Sequence, residues 1–190
     1  MKNLVKVSLL IVAFLAFSFT GLKREKKFIK TDDSQVVWKG YKVTGSHQGT
    51  IAIESGELVM EEGELVGGAF VIDMTSIEVT DLQGEYKGKL EGHLKSDDFF
   101  GVENHPTASL VFTKVESSGK NAYDVTGDLT IKNITHPISF TISIYGNKAT
   151  AALKIDRSKY NVKYGSTSFF DNLKDKAIYD EFDLVTDLQF

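Results

Sequence analysis

The chain reads Ile138-Ser139-Phe140-Thr141-Ile142-Ser143-Ile144, a strict alternation of large apolar and small polar side chains. Successive side chains of an extended strand point to opposite faces, so this stretch predicts a strand with one face on a core and one toward water. Residues 124–132 and 182–190 repeat the same period of two. Half-buried strands of this kind are typical of antiparallel sheets.

Further strands are predicted on both sides of these stretches. Their predicted bounds are Gln35–Val43, Gly49–Ile53, Glu57–Met60, Leu65–Ile77, Ala108–Glu116 and Lys148–Ile155. The breaks between strands are short: Gly146-Asn147 suits a type II′ turn, and Glu61–Glu64 and Ser117–Lys120 are longer polar turns. Closing such a meander removes its exposed edges. The sequence therefore predicts an all-β fold with an antiparallel β-barrel, and a two-sheet sandwich is the alternative.

One segment departs from the strand pattern and predicts a short amphipathic helix. Thr80 and Gln83 fit a capping box. Apolar residues then recur every four positions, at Leu82, Tyr86, Leu90 and Leu94. Three glycines inside the segment each cost about 1 kcal/mol relative to alanine, so we expect a weak, partly irregular helix. It could act as a fixed cover of one barrel end or as a lid that opens for a ligand.

Composition limits the function classes. A length of 190 residues allows one domain, and the absence of cysteine excludes disulfides, thiolate metal sites, cysteine nucleophiles and an acylated N-terminal cysteine. The first 30 residues contain seven basic residues and one acidic residue, so the remainder carries a net charge of about −10. An acidic domain repels a phosphate backbone, and we therefore expect no nucleic-acid partner.

The N-terminus has the pattern of an export signal. Lys2 and Lys6 precede an apolar run over Val7–Phe19. This run of about 13 residues is shorter than the roughly 20 that span a bilayer. The sequence thus predicts a signal peptide at 1–20, a linker at 21–32 and a barrel domain at 33–190, periplasmic or secreted, with no stable membrane span after cleavage. An uncleaved anchor is the alternative.

Several stretches in a fixed order carry a family resemblance. They are Val71–Ile77, Thr80-Asp81, His93–Phe100, His105–Ala108, Tyr123–Ile131, Thr135–Pro137 and Ile155–Ser158. Together they resemble the YceI-like family of bacterial periplasmic lipid-binding proteins over about residues 33–190. This sequence departs from the family pattern at Gly101, Asn133 and Asn161, which bears on turn geometry and ligand detail.

The resemblance implies a lipocalin-like antiparallel β-barrel of about eight strands with a short helical insertion. It also implies an elongated internal cavity that holds a polyisoprenoid or fatty-acyl-like chain. Each methylene buried in such a space gains about 0.8 kcal/mol, so affinity needs no polar residue. Polar groups matter only for a head group and for orientation.

The candidate ligand-binding residues are mostly apolar side chains at inward strand positions. They are Trp38, Phe70, Ile72, Met74, Phe112, Phe140 and Ile142. For each of them, ordinary core packing is the alternative. Phe99 and Phe100 end the helical insertion and could anchor the core or rim an apolar mouth.

Two polar residues are further candidates. His47 lies in the predicted turn Gly45–Gly49 and could meet a head group, or it could be an exposed loop histidine. Arg157 could clamp a carboxylate or phosphate, since a guanidinium binds such groups bidentately, or it could pair with a nearby aspartate at position 156, 81 or 98. The four histidines show no HxH or HExxH spacing, and no nucleophile elbow or phosphate-binding loop is present, so we predict no metal, no cofactor and no catalytic residue.

These observations favour an extracytoplasmic carrier of a long-chain lipid or isoprenoid, without catalysis. One alternative is a structural or stress-response barrel with a filled core and a protein partner. A third hypothesis is a lipid-modifying enzyme that uses Arg157, Asp98 and His93 as a polar cluster. The sequence leaves the oligomeric state open, with a homodimer among the options.

Overall fold

The computed structural model describes residues 23–190, whose strands form one antiparallel sheet. The strands are β1 Arg24–Phe28, β2 Gln35–Lys42, β3 Gly45–Glu61, β4 Glu64–Val79, β5 Thr107–Gly119, β6 Ala122–Ile131, β7 Ile134–Tyr145, β8 Lys148–Asp156 and β9 Glu181–Gln189. Helix α1 covers Gly84–Lys95, and short 3-10 helices cover Thr31–Asp33, Arg157–Tyr160 and Lys174–Lys176.

The sheet closes into an eight-stranded barrel. Neighbouring strands follow the order β2-β9-β8-β7-β6-β5-β4, and β3 closes the barrel by pairing with both β2 and β4. The remaining strand, β1, pairs with the last residues of β3. All pairings are antiparallel, and their closed ring confirms the predicted barrel and excludes the sandwich.

The barrel has two unlike ends. We call the end with the hairpin loops 62–63, 120–121 and 146–147 the floor. The opposite end, which we call the mouth, contains α1, the hairpin loops 43–44 and 132–133, and the segment 157–180 between β8 and β9. Side chains such as Leu58, Leu65, Tyr123 and Ile144 are buried at the floor and fill it.

The hairpin loops are tighter than the sequence indicated. At Gly146 the φ angle is 62°, while Asn147 keeps a negative φ, which fits the predicted type II′ turn. The β3–β4 loop contains only Glu62 and Gly63, both with positive φ, so it is a two-residue turn rather than a longer one.

Two predicted strands are one strand in the structure. The stretches Gly49–Ile53 and Glu57–Met60 both belong to β3, which starts at Gly45. Its register against β4 shifts between Thr50 and Ala52 and again between Ile53 and Ser55. Between Ile53 and Ser55 the bulge gives β3 one extra residue, so the inward positions change from Ile51 and Ile53 to Leu58 and Met60 without a break in the strand.

The helix differs from its prediction in two ways. Gln83 is the N-cap and makes no capping hydrogen bond with its side chain, so the predicted capping box is wrong. Thr80 instead donates its backbone N–H to the carbonyl of Gln48, which ends the strand region. The helix is unbroken over its 12 residues. It buries Leu94 and partly buries Leu90, but Tyr86 is exposed and lies outside the apolar stripe.

The N-terminal predictions fall partly outside the described residues. The predicted signal peptide, 1–20, is not among them. The predicted linker, 21–32, contains β1, which is joined to β3 by backbone pairing and by ion pairs such as Lys26 with Glu57 at 2.7 Å. Residues Arg24–Phe28 of the predicted linker are therefore part of the sheet. Within residues 23–190, no helix combines the length and the apolar character that crossing a bilayer requires.

Candidate functional site

An apolar cavity runs along the inside of the barrel. Its volume is about 170 Å³, measured over the positions open to the centre of a water-sized sphere. A single buried water needs only about 10–15 Å³ of such volume, so the interior is open rather than filled. Inward side chains at mid-height, including Phe112, Phe140 and Leu184, are only half-buried because protein atoms do not occupy the space in front of them.

The cavity wall includes all but one of the candidate residues. The sequence-predicted residues on the wall are Trp38, Phe70, Ile72, Met74, Phe99, Phe100, Phe112, Phe140, Ile142 and Arg157. Phe112 packs against Phe70 and Phe140 with ring centroids 5.8 Å and 5.7 Å away. This cluster of three rings spans β4, β5 and β7, and it forms one side of the cavity.

Other residues of the cavity wall were not among the candidates predicted from the sequence. Strands β2, β3, β8 and β9 contribute residues of the same alternating pattern, namely Val36, Ile51, Ile53, Ala151, Leu153, Ile155, Phe182, Leu184, Thr186 and Leu188. Their alternation in the sequence could have identified most of them. Ile178 and Tyr179 also line the cavity but come from segment 157–180, where no period signals an inward position.

The polar groups on the wall are turned toward the backbone. Trp38 donates its indole N–H to the carbonyl of Thr50 at 3.2 Å. The Thr186 hydroxyl bonds to both the N–H and the carbonyl of Ala151, at 3.1 and 3.3 Å. Because these groups are already satisfied, the wall presents carbon atoms to whatever occupies the cavity.

Arg157 lies at the mouth end of the cavity and is only 2% exposed. Its guanidinium donates to the carbonyls of Tyr179, Val162 and Ile178 at 3.1, 2.8 and 3.0 Å. Its ion-pair partner is Asp180, 3.5 Å from Nη2, and none of the three aspartates that the sequence suggested. Burial lowers the pKa of Arg157, and the charge of Asp180 opposes that shift.

These bonds give Arg157 a structural role that the sequence did not indicate. They tie the start of segment 157–180 to its end, across 23 residues of sequence. The guanidinium also lies 5.3 Å from the ring centre of Phe99, a cation–π distance. A side chain engaged this fully has little capacity left for a bidentate clamp on a ligand.

His47 lies away from the cavity. It belongs to β3 rather than to a flexible turn, and its Nδ1 is 3.1 Å from Asp81 Oδ2. The residue is half-buried and is not among those that line the cavity. The pair connects the start of β3 to the chain just before α1.

The polar cluster of the enzyme hypothesis does not converge inside the barrel. Of Arg157, Asp98 and His93, only Arg157 lines the cavity. His93 packs edge-on against Phe99 and Tyr164, at 5.5 and 4.3 Å between ring centres. Burial lowers the pKa of His93, with a smaller opposing effect from Asp98. Among residues 23–190, no three His, Asp or Glu side chains are grouped so as to bind a metal ion.

Curated relatives match only part of the chain. A UPF0312 protein of Pseudomonas putida strain W619 is 43% identical over 54 residues, 28% of each chain. A UPF0312 protein of Pseudomonas syringae pv. tomato is 33% identical over 87 residues, 42% of this chain and 45% of the relative. The chain therefore matches less than half the length of these relatives.

Solved structures share the fold at low identity. Burkholderia cenocepacia BcnA has a TM-score of 0.67 at 21% identity, covering 84% of this chain and 98% of its own. A polyisoprenoid binding domain from Saccharophagus degradans, implicated in plant cell wall breakdown, has a TM-score of 0.61 at 15% identity, covering 88% and 97%. The family model of the YceI-like domain matches residues 28–190. The chain therefore belongs to the YceI-like domain family.

Proposed function

We propose that this protein is an extracytoplasmic carrier that holds one long apolar chain, a polyisoprenoid or a fatty-acyl lipid, inside the barrel and performs no chemistry on it. The observation that carries the proposal is the carbon-lined cavity between Leu188 near the floor and Arg157 at the mouth. The Saccharophagus degradans neighbour, described as a polyisoprenoid binding domain, supports the same ligand class.

The energetics favour a hydrocarbon over a polar ligand. Each methylene moved from water into the cavity gains about 0.8 kcal/mol, so a chain of about ten methylenes gains several kcal/mol after ordering costs. A polar ligand would lose its hydration without finding free partners, because Trp38 and Thr186 already bond to the backbone. The cavity therefore selects for apolar length rather than for a particular head group.

The proposed location follows from the N-terminal sequence. The basic residues Lys2 and Lys6 and the apolar run that follows them suit export by a signal peptide, which places the barrel in the periplasm or outside the cell. Long-chain lipids are nearly insoluble in that aqueous space, and a closed barrel would shield one chain from water.

The test is to extract lipid from the purified full-length protein and identify it by mass spectrometry. Neighbouring alanines on β8 provide matched variants, since Ala151 is buried on the cavity wall and Ala152 is exposed. Ala151→Trp should fill the cavity and remove most of the lipid, whereas Ala152→Trp should keep it. Leu184→Trp provides a second blocking variant if the first does not fold.

Lipid retained equally by Ala151→Trp and wild type would contradict the proposal, as would a wild-type protein that contains no lipid. The second result would favour a structural barrel that acts through a protein partner. Recovery of a chemically altered lipid after incubation would favour the enzyme hypothesis.

A further inference from the structure

Five large apolar side chains are exposed together at the mouth. They are Val43, Tyr164, Phe169, Phe170 and Tyr179, each between 42% and 56% exposed. We call this group the mouth patch. Other exposed large apolar residues, such as Phe28 and Tyr145, belong to separate strands, β1 and β7. Isolated exposed apolar residues are ordinary, whereas a contiguous group marks an interaction surface.

Backbone hydrogen bonds hold the mouth patch together. Val43 donates to the carbonyl of Ala177, and Tyr179 donates to that of Tyr41, which joins the β2–β3 hairpin to segment 157–180. Gly165, next to Tyr164, accepts from Ile178 at 2.8 Å. Phe169 and Phe170 both donate to the Ser166 carbonyl, in a tight turn that presents two adjacent rings. Ordered backbone therefore displays these side chains.

The mouth patch is continuous with the cavity. Tyr179 lines the cavity and is nevertheless 56% exposed. The cavity therefore reaches the surface beside this residue. Neighbouring Ile178 and Phe100 also line the cavity, so an apolar path connects the patch to the barrel interior.

The charge around the mouth patch is opposite to that of the rest of the domain. Residues 31–190 carry a net charge of −10, yet segment 157–180 contains five basic and three acidic residues. Its exposed lysines are Lys159, Lys163, Lys174 and Lys176. None of these four forms an ion pair with any residue of the described range 23–190. Lys163 instead lies 5.2 Å from the ring centre of Phe169.

We propose that the mouth patch docks onto the surface of an anionic lipid bilayer and places the cavity opening against the membrane. Aromatic rings favour the interface between head groups and acyl chains, and nearby lysines are attracted to anionic lipids. Both features occur here on one surface, which borders the opening. This inference deepens the proposed carrier function and rests on it, because docking there gives a lipid chain a path between bilayer and barrel.

Co-sedimentation with phospholipid vesicles tests the docking. The full-length protein should bind vesicles of phosphatidylcholine containing phosphatidylglycerol, and bind phosphatidylcholine alone more weakly. The double variant Phe169→Ser/Phe170→Ser should bind about tenfold more weakly, since two half-exposed rings lose their apolar contact. Tyr145→Ser, at a ring on the floor that is more exposed than either phenylalanine, is the control and should bind as wild type does.

Charge reversal separates the electrostatic contribution to vesicle binding from the contribution of the aromatic rings. Lys163→Glu/Lys176→Glu should lower binding to the anionic vesicles, and added salt should reduce the wild-type protein to the same level. The matched control is Lys120→Glu/Lys148→Glu, at two exposed lysines of the floor that also form no ion pair within residues 23–190.

Three results would overturn the docking. The double serine variant could bind vesicles as well as wild type does, or wild-type binding could be independent of the anionic lipid. In the third, the wild-type protein forms a dimer and binds no vesicles, and the double serine variant is a monomer. Mass spectrometry of the lipid bound in the same variants distinguishes failure of the docking proposal from failure of the carrier proposal. Lipid still present in the barrel without vesicle binding would defeat the docking alone.

Discussion

At the floor, the buried Tyr123 donates its hydroxyl hydrogen to Glu64 at 2.9 Å, whereas at the mouth the equally buried Tyr160 hydroxyl has no partner. The same contrast holds more widely. Within residues 23–190, the buried side-chain atoms without a hydrogen-bond partner are His93 Nε2, His105 Nδ1, Tyr160 OH and Asp180 Oδ1. His93 is in α1, Tyr160 and Asp180 are in segment 157–180, and His105 lies between α1 and β5, so all four lie toward the mouth.

The difference indicates that the two ends of the barrel have different roles. The floor closes the barrel with tight hairpins and filled packing, so it contributes stability. The mouth combines buried polar atoms that make no hydrogen bond, an open cavity and exposed rings, which cost stability and are typical of functional regions. Four predictions, given from the largest expected effect to the smallest, test this comparison.

Arg157→Leu should lower the free energy of unfolding by about 3–5 kcal/mol, because it leaves three carbonyls and the Asp180 carboxylate without their buried partner. Urea unfolding followed by circular dichroism measures the change. The control is Arg24→Leu at the floor, where an exposed pair with Glu61 should contribute less than about 1 kcal/mol. Equal losses of unfolding free energy at the two positions would contradict the structural role assigned to Arg157.

Leu58→Ala should lower the free energy of unfolding by about 2–5 kcal/mol, because truncating this fully buried floor residue leaves a void that its neighbours cannot fill. Leu184→Ala, the matched change on the cavity wall, should cost roughly half as much, since its side chain already faces open space. Both are measured by urea unfolding of lipid-free protein. A larger loss at Leu184 would mean that the interior is packed.

The two buried tyrosines should respond in opposite directions. Tyr123→Phe should lower the free energy of unfolding by about 1 kcal/mol, because Glu64 loses a donor. Tyr160→Phe should leave it unchanged or raise it, because the removed hydroxyl had no partner. Burial also raises the pKa of Tyr160 to about 12. Thermal unfolding of both variants measures the two changes, and a clear loss of stability in Tyr160→Phe would contradict the absence of a partner for this hydroxyl.

The smallest effect concerns pH. Burial lowers the pKa of His93 in the fold, so the unfolded chain binds a proton more readily than the folded one. Stability should therefore fall as the pH drops from about 6.5 toward the lowered pKa, and show no such loss above that range. The difference in unfolding free energy between wild type and His93→Gln, followed from pH 7 downward, isolates this contribution. A difference that stays constant with pH would refute it.

The alternation in the sequence predicted the barrel because each inward position repeats within a strand. Phe140 and Ile142 could be assigned to the inner face from their neighbours Ser139 and Thr141. The single strand β3 was not predictable in the same way, since a bulge shifts its period between Ile53 and Ser55. Local periodicity carries no information about such insertions.

The mouth was the least predictable region for a similar reason. Arg157 pairs with Asp180, which lies far along the chain in a segment without period, so no spacing indicated the partner. The assignment of His47 to a turn failed because Gly45 and Gly49 suggested a loop where the structure has the start of a strand. The exposed rings of segment 157–180 could be read from the sequence, but their position at the cavity opening could not.

The central claim is that the interior shelters a hydrocarbon chain, and a crystal structure of the protein purified without added detergent tests it most directly. The account predicts continuous elongated electron density from Leu188 to Tyr179, in contact with the rings of Phe112 and Phe140. An interior in which these rings have moved together and filled the space with the protein's own side chains would contradict it.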